Sequence, residues 1–310
     1  MLTVILATRN RSKILRLTLE TFCGLRAPAS SWKLVIVDNG SSDQTQDTIK
    51  GFANRLPLHF LTESRPGKNF ALNTALSQID GDLTVLTDDD VLPRPDWLLK
   101  LRHAADVHSE FSIFGGAILP HWEVPPPHWT KWVHQGATYA ITDPGWAEGP
   151  VPASSVWGPN TAIRSAVFKA GIRFDTLIGP NGKNYVQGGD TELTRRLEAS
   201  GHRAWHVHDA IVEHFIRKEQ LELTWVMSRA IRYGRGEFRL GQMNELTTRR
   251  LLFGAPRHLY KELCREAANI PVAWMLRREA DLIQSRWRYN FTCGQLQEAR
   301  IAFTEMANRN

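Results

Sequence analysis

The first hundred residues alternate between short apolar runs and helical stretches, and this alternation restricts the fold more than any other feature. The predicted strands lie at residues 2–7, 33–37, 58–61 and 83–87, and the predicted helices at 13–25, 43–54, 69–78 and 95–107. This spacing predicts an α/β fold, with a mostly parallel sheet and helices on both faces. The strands are continuous apolar runs, as expected when both faces of a sheet are covered.

Polar clusters follow three of these four strands directly. They read TRNRS after the first strand, DNGSSD after the second and TDDD after the fourth. Ligands of an open parallel sheet bind beyond the carboxyl ends of its strands. We therefore expect the three clusters to meet at one site.

The rest of the chain follows a different pattern. Residues 121–160 are rich in Pro, Trp and Gly, which is typical of loops. Helices are predicted at 165–171, 190–200 and 221–237, with extended chain at 204–214. From about residue 247 the chain is helical and basic, with breaks predicted at Pro256 and Pro271. We expect one α/β domain over residues 1–240 and a helical extension over 241–310.

Composition sets broad limits on location and partners. The chain of 310 residues has three cysteines, which suggest no disulfide framework, and lacks the roughly 20 consecutive apolar residues of a membrane span. A cytoplasmic location is expected. The net charge of +6 would suit an anionic ligand or the inner face of a membrane, but the basic residues are scattered and form no nucleic-acid-binding motif. Peripheral membrane contact and homo-oligomer formation are left open.

The sharpest local signal is the triplet Asp88-Asp89-Asp90 at the end of the fourth strand. Adjacent carboxylates repel one another unless a cation or solvent compensates them. Because alternate side chains at a strand end point the same way, Asp88 and Asp90 can address one ligand while Asp89 faces elsewhere. Mg²⁺ prefers oxygen ligands and commonly bridges a carboxylate to substrate phosphates. The alternative is a solvated acidic turn before Pro93 and Pro95.

Two further carboxylates are candidates. Asp38 ends the second strand and could accept hydrogen bonds from a nucleotide base or ribose, or it could form a local Asx turn with Ser41. Asp190 follows Gly188 and Gly189 at a predicted helix N-terminus, where the helix dipole favours an ionised carboxylate that could act as a general base. The alternative role for Asp190 is a plain N-cap.

Histidines and tryptophans give weaker signals. Four histidines lie between residues 202 and 214, but their spacing fits no tetrahedral zinc site. Of these, His214 is singled out because Arg217 follows shortly after it. The tryptophans of residues 121–160 could stack on a sugar or pack in the core. We expect only Trp157 beside an acceptor, because WGPN leads into the strand before Asp190.

In their order along the chain, these motifs resemble those of the family 2 glycosyltransferases, whose catalytic domain has the GT-A fold. The motifs are VILATRNRS, VIVDNGSSDQT, RPGKNFALNTAL, GDLTVLTDDDV, GPNTAIRSAVFKAGIRFD, GGDTELTRRLEASGH and IVEHFIRKE. They cover about residues 2–236. The resemblance implies an inverting, metal-dependent enzyme of the hexosyltransferase type, as in polysaccharide biosynthesis. Residues 1–107 would form its nucleotide-binding half and residues 108–240 its acceptor-binding half.

The resemblance also implies a role for each motif residue. The nucleotide-sugar donor would be bound by Thr8, Arg9, Arg11, Asp38, Arg65, Lys68, Asp88 and Asp89. The Mn²⁺ or Mg²⁺ cofactor would be held by Asp90 and His214, and Arg217 would reach the diphosphate. Asp190 would be the catalytic base, with Trp157, Gly188 and Gly189 on the acceptor side. Relatives often carry Glu where this chain has Gly189, so the acceptor contacts are expected to differ there.

The implied mechanism is a single displacement with inversion, in which Asp190 deprotonates the acceptor hydroxyl and cations stabilise the departing nucleoside diphosphate. A UDP-sugar donor is expected, and the acceptor would be a glycan, a lipid-linked intermediate or a small molecule. Two alternatives stay open. A nucleotidyltransferase would release pyrophosphate, and it usually carries a glycine-rich signature that TRNRSK lacks. A non-catalytic carbohydrate-binding protein would explain the tryptophans but not the ordered carboxylates.

Overall fold

A computed structural model describes residues 1–26, 28–29, 31–182 and 185–308. These residues form two compact units. Among them, the first unit comprises residues 1–121, 140–182 and 189–215, and the second comprises residues 122–139, 185–188 and 216–308. The functional boundary expected at residue 240 is a separate division, and it stays a prediction.

A nine-stranded sheet lies at the centre of the first unit. Its strands are β1 (Leu2–Thr8), β2 (Trp32–Asp38), β3 (Leu58–Thr62), β4 (Leu83–Leu86), β5 (Val91–Pro93), β6 (Ile113–Trp122), β7 (Gly149–Val151), β8 (Thr161–Arg164) and β9 (Ala204–Ile216). The spatial order is β3-β2-β1-β4-β8-β6-β9-β5, and β7 pairs with β9. Strands β1 to β4 pair in parallel, as predicted. Strand β8 runs antiparallel to both β4 and β6, and β9 runs antiparallel to both β5 and β7.

Helices cover both faces of this sheet. Along the described chain the helices are α1 (Ser12–Cys23), α2 (Thr45–Lys50), α3 (Lys68–Ala75), α4 (Trp97–Val107), α5 (Gln135–Tyr139), α6 (Ser165–Lys169), α7 (Gly189–Ala199), α8 (Leu223–Glu237), α9 (Glu245–Thr248), α10 (Arg257–Met275) and α11 (Glu279–Ala307). Alternate residues of one strand pack in two different hydrophobic cores of the first unit. Leu34 and Ile36 of β2 pack in the core that contains α1 and α4, whereas Val35 and Val37 pack in the core that contains α3 and α7. This is the two-sided burial that the continuous apolar strands predict.

Strand β6 is absent from the sequence-based prediction because Gly115 and Gly116 interrupt its apolar pattern. The structure gives the reason for one of these glycines. A Cβ on Gly116 would lie 2.1 Å from the carbonyl oxygen of Ala210 in β9. Glycine is therefore needed where the two backbones approach each other closely.

The second unit is mainly helical. A small core of Phe238, Leu246, Leu259 and Leu296 lies among its helices and the hairpin of β10 (Leu251–Leu252) and β11 (Ala255–Pro256). Helices α8 and α11 pack closely, since a Cβ on Gly234 would lie 2.0 Å from the carbonyl oxygen of Phe291. Within the described residues, no helix has the length and apolar character needed to cross a membrane.

The two breaks predicted in the C-terminal region have different outcomes. The break at Pro256 is confirmed, because α10 begins at the next residue. The break at Pro271 is wrong, because α10 continues through it to Met275. A proline removes one N–H and crowds the carbonyl four residues earlier. Here that carbonyl belongs to Ala267, and both residues are exposed, so water can bind the freed carbonyl.

Candidate functional site

The three polar clusters meet where β1, β2 and β4 end. Thr8 and Asp38, the last residues of β1 and β2, are neighbours in the parallel register. The Thr8 hydroxyl donates a hydrogen bond of 2.6 Å to Oδ2 of Asp89, just beyond β4. The backbone N–H of Asn10 donates to the Ser41 hydroxyl at 2.8 Å, which joins the first cluster to the second. The expected convergence of the clusters is therefore present.

Asp89 is buried beside the end of β1. Burial is the largest influence on its carboxyl and raises its pKa, and the neighbouring Asp90 raises the pKa further. Arg11 and the Thr8 hydroxyl act in the opposite direction without cancelling the shift. The backbone carbonyl of Asp89 also accepts a hydrogen bond from the Thr18 hydroxyl at 2.9 Å. Asp89 is thus fixed against β1 and α1.

Asp90 lies beside a histidine that is far away in sequence. Nε2 of His214 is 3.4 Å from Oδ1 of Asp90, and the two side chains are only 12% and 11% exposed. The pairing of β5 with β9 produces this contact, because it sets Val91 opposite His214. The backbone N–H of Phe215 also donates to the Asp90 carbonyl at 2.8 Å. The structure therefore brings together the two residues expected to hold a metal ion.

Asp88 forms an ion pair with Lys68, the first residue of α3. Burial by itself lowers the pKa of the Lys68 ammonium, but the carboxylates of Asp88, Asp190 and Asp89 outweigh burial and raise it. Lys68 therefore stays charged among three carboxylates. A fixed cation in this position can neutralise phosphate oxygens of a bound nucleotide.

Asp190 is held at the start of α7 by backbone donors. The N–H of Gly158 donates to Oδ2 of Asp190 at 2.7 Å, and the N–H of Thr191 donates to Oδ1 at 3.0 Å. A Cβ on Gly158 would lie 3.0 Å from Oδ2, so the approach depends on glycine. The Thr87 hydroxyl donates to the Pro159 carbonyl at 3.0 Å, which joins the same loop to the residue before the triplet. Asp190 and the triplet are thus positioned by one loop.

Asp38 is fully buried, and its carboxylate is used locally. The backbone N–H and hydroxyl of Ser41 donate to Oδ1, and Nε2 of Gln46 donates to Oδ2 at 2.7 Å. The bond to the N–H three residues on is the local capping role that the sequence offers as the alternative. A nucleotide hydrogen bond to Asp38 would compete with Ser41 or Gln46.

The loop that carries Arg65 and Lys68 is fixed by Asn39, a residue that the sequence analysis did not single out. Its side-chain amide donates to the carbonyls of Glu63 at 2.9 Å and Arg65 at 2.7 Å. Its Oδ1 accepts from the N–H of Gly67 at 2.8 Å. Asn39 follows Asp38 directly, so the end of β2 positions the basic loop.

Arg65 is engaged by Glu63, a second residue absent from the prediction. Nε and Nη2 of Arg65 donate to the Glu63 carboxylate at 3.0 and 2.7 Å, and the guanidinium lies 4.8 Å from the ring centre of Phe70. These hydrogen bonds from Arg65, with a further one from Thr74, lower the pKa of Glu63 to about 2. Arg65 is 63% exposed, but its guanidinium is paired within the protein.

The remaining candidates differ in their surroundings. Arg9 is exposed, and the backbone N–H of Arg11 donates to the Thr45 hydroxyl at 2.9 Å. The Trp157 indole donates to the Ser154 carbonyl at 3.1 Å, and its ring centre lies 6.1 Å from that of Trp146, so this side chain is packed internally.

The last predicted site residues are the two glycines before Asp190 and Arg217. Gly188 has a φ of 108°, a backbone conformation that favours glycine. A Cβ on Gly189 would lie 2.7 Å from Nδ2 of Asn69, so a larger residue here would require the Asn69 amide to move. Gly188 and Arg217 belong to the second unit, and the backbone N–H of Arg217 donates to Oε1 of Gln220 at 2.9 Å.

The donor set around Asp90 fits a hard divalent cation that is shared with a ligand. The described residues contain no group of three or more His, Cys, Asp or Glu side chains arranged for a metal ion. Asp90 and His214 could offer one oxygen and one nitrogen ligand, since their side chains lie 3.4 Å apart. Divalent cations such as Mg²⁺ are commonly bound by one or two protein groups together with substrate phosphates. The pair fits a site that a diphosphate would complete.

Sequence comparison identifies proteins that are similar to this chain. The chain matches the family model described as "Glycosyl transferase family 2" over residues 3–171, more than half of its length. Glucosyl-dolichyl phosphate glucuronosyltransferase from Haloferax volcanii is 25% identical over 210 residues, 65% of each chain, so the match covers slightly less than two thirds of that relative. Glycosyltransferase AglE from the same organism is 23% identical over 290 residues, 88% of each chain.

Solved structures agree on the fold. The mannosyltransferase PcManGT from Pyrobaculum calidifontis, in complex with GDP-Man and Mn²⁺, superposes with a TM-score of 0.58 at 21% identity over 98% of this chain and 86% of that chain. S. aureus TarS 1–349 in complex with UDP-GlcNAc gives a TM-score of 0.56 at 14% identity over 100% and 92%. These likenesses confirm the predicted α/β fold of the GT-A type.

Proposed function

This chain belongs to glycosyl transferase family 2, and we propose that it is an inverting, metal-dependent glycosyltransferase with a nucleotide-diphosphate sugar as donor. The observation that carries the proposal is the position of Lys68 among acidic side chains. Lys68 forms an ion pair with Asp88, and the negative charges of Asp190 and Asp89 also raise its pKa. This arrangement supports a donor site with a base next to it.

Asp190 is proposed as the catalytic base. Two backbone N–H groups fix its carboxylate, and Lys68 contributes a nearby positive charge. The base would take the proton of an acceptor hydroxyl while the hydroxyl oxygen forms a bond to C1 of the sugar. The bond from C1 to the phosphate oxygen breaks at the same time, and the nucleoside diphosphate leaves from the opposite face. One displacement of this kind inverts the anomeric configuration.

The leaving diphosphate is proposed to lie between Lys68 and the pair of Asp90 and His214. Asp90 and His214 would hold Mn²⁺ or Mg²⁺, which when bound neutralises charge on the leaving group. Lys68 would exchange its pairing with Asp88 for phosphate oxygens, which would free Asp88 to accept a hydrogen bond from the ribose. Thr8 and Asp89 would keep the triplet in place during this exchange, because Asp89 is tied to β1.

The donor and the acceptor are proposed from chemistry and from the relatives. A UDP-sugar is the first candidate, and GDP-sugars are the second. Solved neighbours are in complex with UDP-GlcNAc and with GDP-Man. A lipid-linked acceptor is favoured over a free glycan, because one relative is named for a glucosyl-dolichyl phosphate.

The deciding experiment separates donor binding from turnover. Thermal shifts would be measured with UDP, GDP, dTDP and CDP, each with Mn²⁺ and with EDTA, and turnover would be followed as release of nucleoside diphosphate from the matching sugar donors. Wild type should show a metal-dependent shift with one nucleotide. Asp190→Asn should keep this shift and lose activity by about 100-fold or more, since the variant lacks only the base.

A matched control lies in the same helical turn. Glu192 pairs with Arg196, and the N–H of Gly158 donates to Asp190, so Glu192→Gln should retain both binding and turnover. Release of pyrophosphate would identify a nucleotidyltransferase instead. A folded protein that gives no shift with any nucleotide would contradict the proposal and favour a carbohydrate-binding protein.

A further inference from the structure

Large apolar side chains are exposed at both ends of α10, in the second unit. At the hairpin before the helix, Leu252 is 40% exposed and Phe253 is 78% exposed. At the far end, Trp274 is 70%, Met275 is 65% and Leu276 is 56% exposed. Clusters of exposed apolar side chains mark interaction surfaces more often than single ones do.

The hairpin turn holds Phe253 outward in a strained conformation. Phe253 has a φ of 46° and Gly254 a φ of 75°, so both central residues of the turn are in the left-handed region. That region is unfavourable for a bulky side chain. The centre of the Phe253 ring lies 6.3 Å from that of the Tyr260 ring. An aromatic side chain kept exposed by a strained turn indicates a function for its position.

Cations surround the base of this hairpin. A cavity of about 400 Å³ is lined by Arg249, Arg250, Arg257, His258 and Glu245. None of these three arginines forms an ion pair with a residue of the described chain. Between residues 249 and 278 the sequence has seven Lys or Arg and two Glu, so this stretch is strongly cationic.

The exposed side of α10 connects the hairpin to the far end of the helix. Arg257, Lys261, Ala268, Val272 and Met275 are exposed and follow one another at helical spacings, so they lie on one face. The first two are cationic and the last three are apolar. Arg277 and Arg278 follow the apolar end directly.

We propose that this side of the second unit, here called the α10 surface (residues 249–257, the exposed face of α10 and residues 274–278), binds the surface of an anionic lipid bilayer. The apolar tips at Phe253 and Trp274 enter the headgroup layer. The arginine cavity takes a lipid phosphate. Surface-bound helices combine apolar side chains with Lys and Arg in this way, and each adds to the affinity.

Two other occupants fit the surface less well. A twofold contact with a second copy would set the same patch on both sides and bring the cations of residues 249–278 against each other. A nucleic acid would satisfy the cations, but Leu252, Met275 and Leu276 offer aliphatic groups that do not stack on bases. An anionic bilayer provides phosphates for the cations and an apolar layer for the exposed apolar side chains.

The test is co-sedimentation of the whole chain with phosphatidylglycerol–phosphatidylcholine vesicles and with phosphatidylcholine vesicles, without nucleotide or metal. Binding should require the anionic lipid and weaken with salt. Phe253→Ser and Trp274→Ser should each weaken binding about tenfold, as expected for withdrawing an aromatic side chain from the membrane. Arg257→Gln should weaken it roughly fivefold.

Matched controls lie in the first unit. Leu177 is 71% exposed, and Arg26 is an exposed cation, so Leu177→Ser and Arg26→Gln should leave vesicle binding unchanged. Inorganic phosphate should displace the protein no more than sodium chloride of equal ionic strength. Three outcomes would each overturn the proposal. They are equal binding to neutral vesicles, an equal loss of vesicle binding in the control variants, and a shift to a dimer in light scattering. Because no donor is present, these outcomes do not depend on glycosyl transfer.

Discussion

Both units bury carboxylates, but they neutralise them differently. In the second unit Glu298 is fully buried, and Arg235 and Arg239 bind its two oxygens. In the first unit Asp88, Asp89 and Asp190 act on Lys68, and Arg11 acts on Asp89. A carboxylate matched by cations serves the packing of helices, whereas an excess of carboxylates prepares a site for further positive charge. The predictions below test this difference, from the largest expected effect to the smallest.

Replacing Asp90 should abolish activity without harming the fold. Asp90→Asn removes a proposed metal ligand, so we expect roughly a thousandfold loss of kcat/KM. Stability should be unchanged or slightly higher, because Asp90 no longer raises the pKa of Asp89 by repulsion. Kinetics and thermal unfolding measure the two effects. Asp106→Asn, at an exposed ion pair with Arg102, is the control, and a metal-dependent nucleotide shift that survives Asp90→Asn would contradict the assignment.

Replacing Glu298 should have the opposite profile. Glu298→Ala leaves the guanidinium groups of Arg235 and Arg239 poorly compensated, so we expect about 3–5 kcal/mol lower free energy of unfolding. Urea unfolding measures this change, while kcat of the folded variant should stay the same. Glu305→Ala removes an exposed partner of Arg239 and should change stability by less than about 1 kcal/mol. Equal effects of the two variants would show that burial of Glu298 is not decisive.

A third prediction concerns the glycine beside the proposed base. Gly189→Ala places a Cβ against the Asn69 amide, and such overpacking typically lowers stability by about 1–3 kcal/mol. The effect should be smaller in an Asn69→Ala background, and a double-mutant cycle of urea midpoints measures this coupling. Gly51→Ala has only ordinary contacts and should be nearly neutral. Additive effects at Gly189 and Asn69 would contradict the proposed clash.

The smallest expected effect is the pH dependence of the pair formed by Glu63 and Arg65. The folded pKa of Glu63 is about 2, below the ordinary value of 4.5. The pair therefore stabilises the folded state above about pH 4.5, and this contribution is lost as the pH falls toward 2. Glu63→Gln should lower stability by at most about 1 kcal/mol at neutral pH, because Arg65 is largely exposed.

The melting-temperature difference between wild type and Glu63→Gln should shrink between pH 4.5 and pH 2. Glu20, an exposed partner of Arg55, provides a comparison in which Glu20→Gln should show a weaker trend. A difference that grows on acidification would contradict the lowered pKa.

The sequence predicts the parallel half of the fold well because local patterns determine it. Strands β1 to β4 are continuous apolar runs, and the polar clusters after them meet as expected. The antiparallel strands depend on long-range pairing, which periodicity does not report. Strand β6 is the example, because the glycine that interrupts its pattern is required by Ala210 of β9.

The candidate site shows the same limit. Carboxylates at strand ends are visible in the sequence, and so is a lysine in a basic loop. The groups that hold them are not visible, because Asn39 and Thr87 act through contacts with residues remote along the chain, and nothing in the local pattern marks Glu63 as the partner of Arg65. The sequence also leaves open whether Asp38 forms a turn, since the same residues suit either role.

The hydrogen bond from Gly158 to Asp190 has a consequence for how this site can change over generations. Its donor belongs to the main chain, so no replacement of a side chain can delete it. The proposed base would therefore keep this hydrogen bond when side chains near it are replaced. Gly158 itself is a sensitive position, because a Cβ there would lie 3.0 Å from Oδ2 of Asp190. Under the proposed mechanism, a side-chain replacement that changes the choice of acceptor would leave the main-chain hydrogen bond to Asp190 in place.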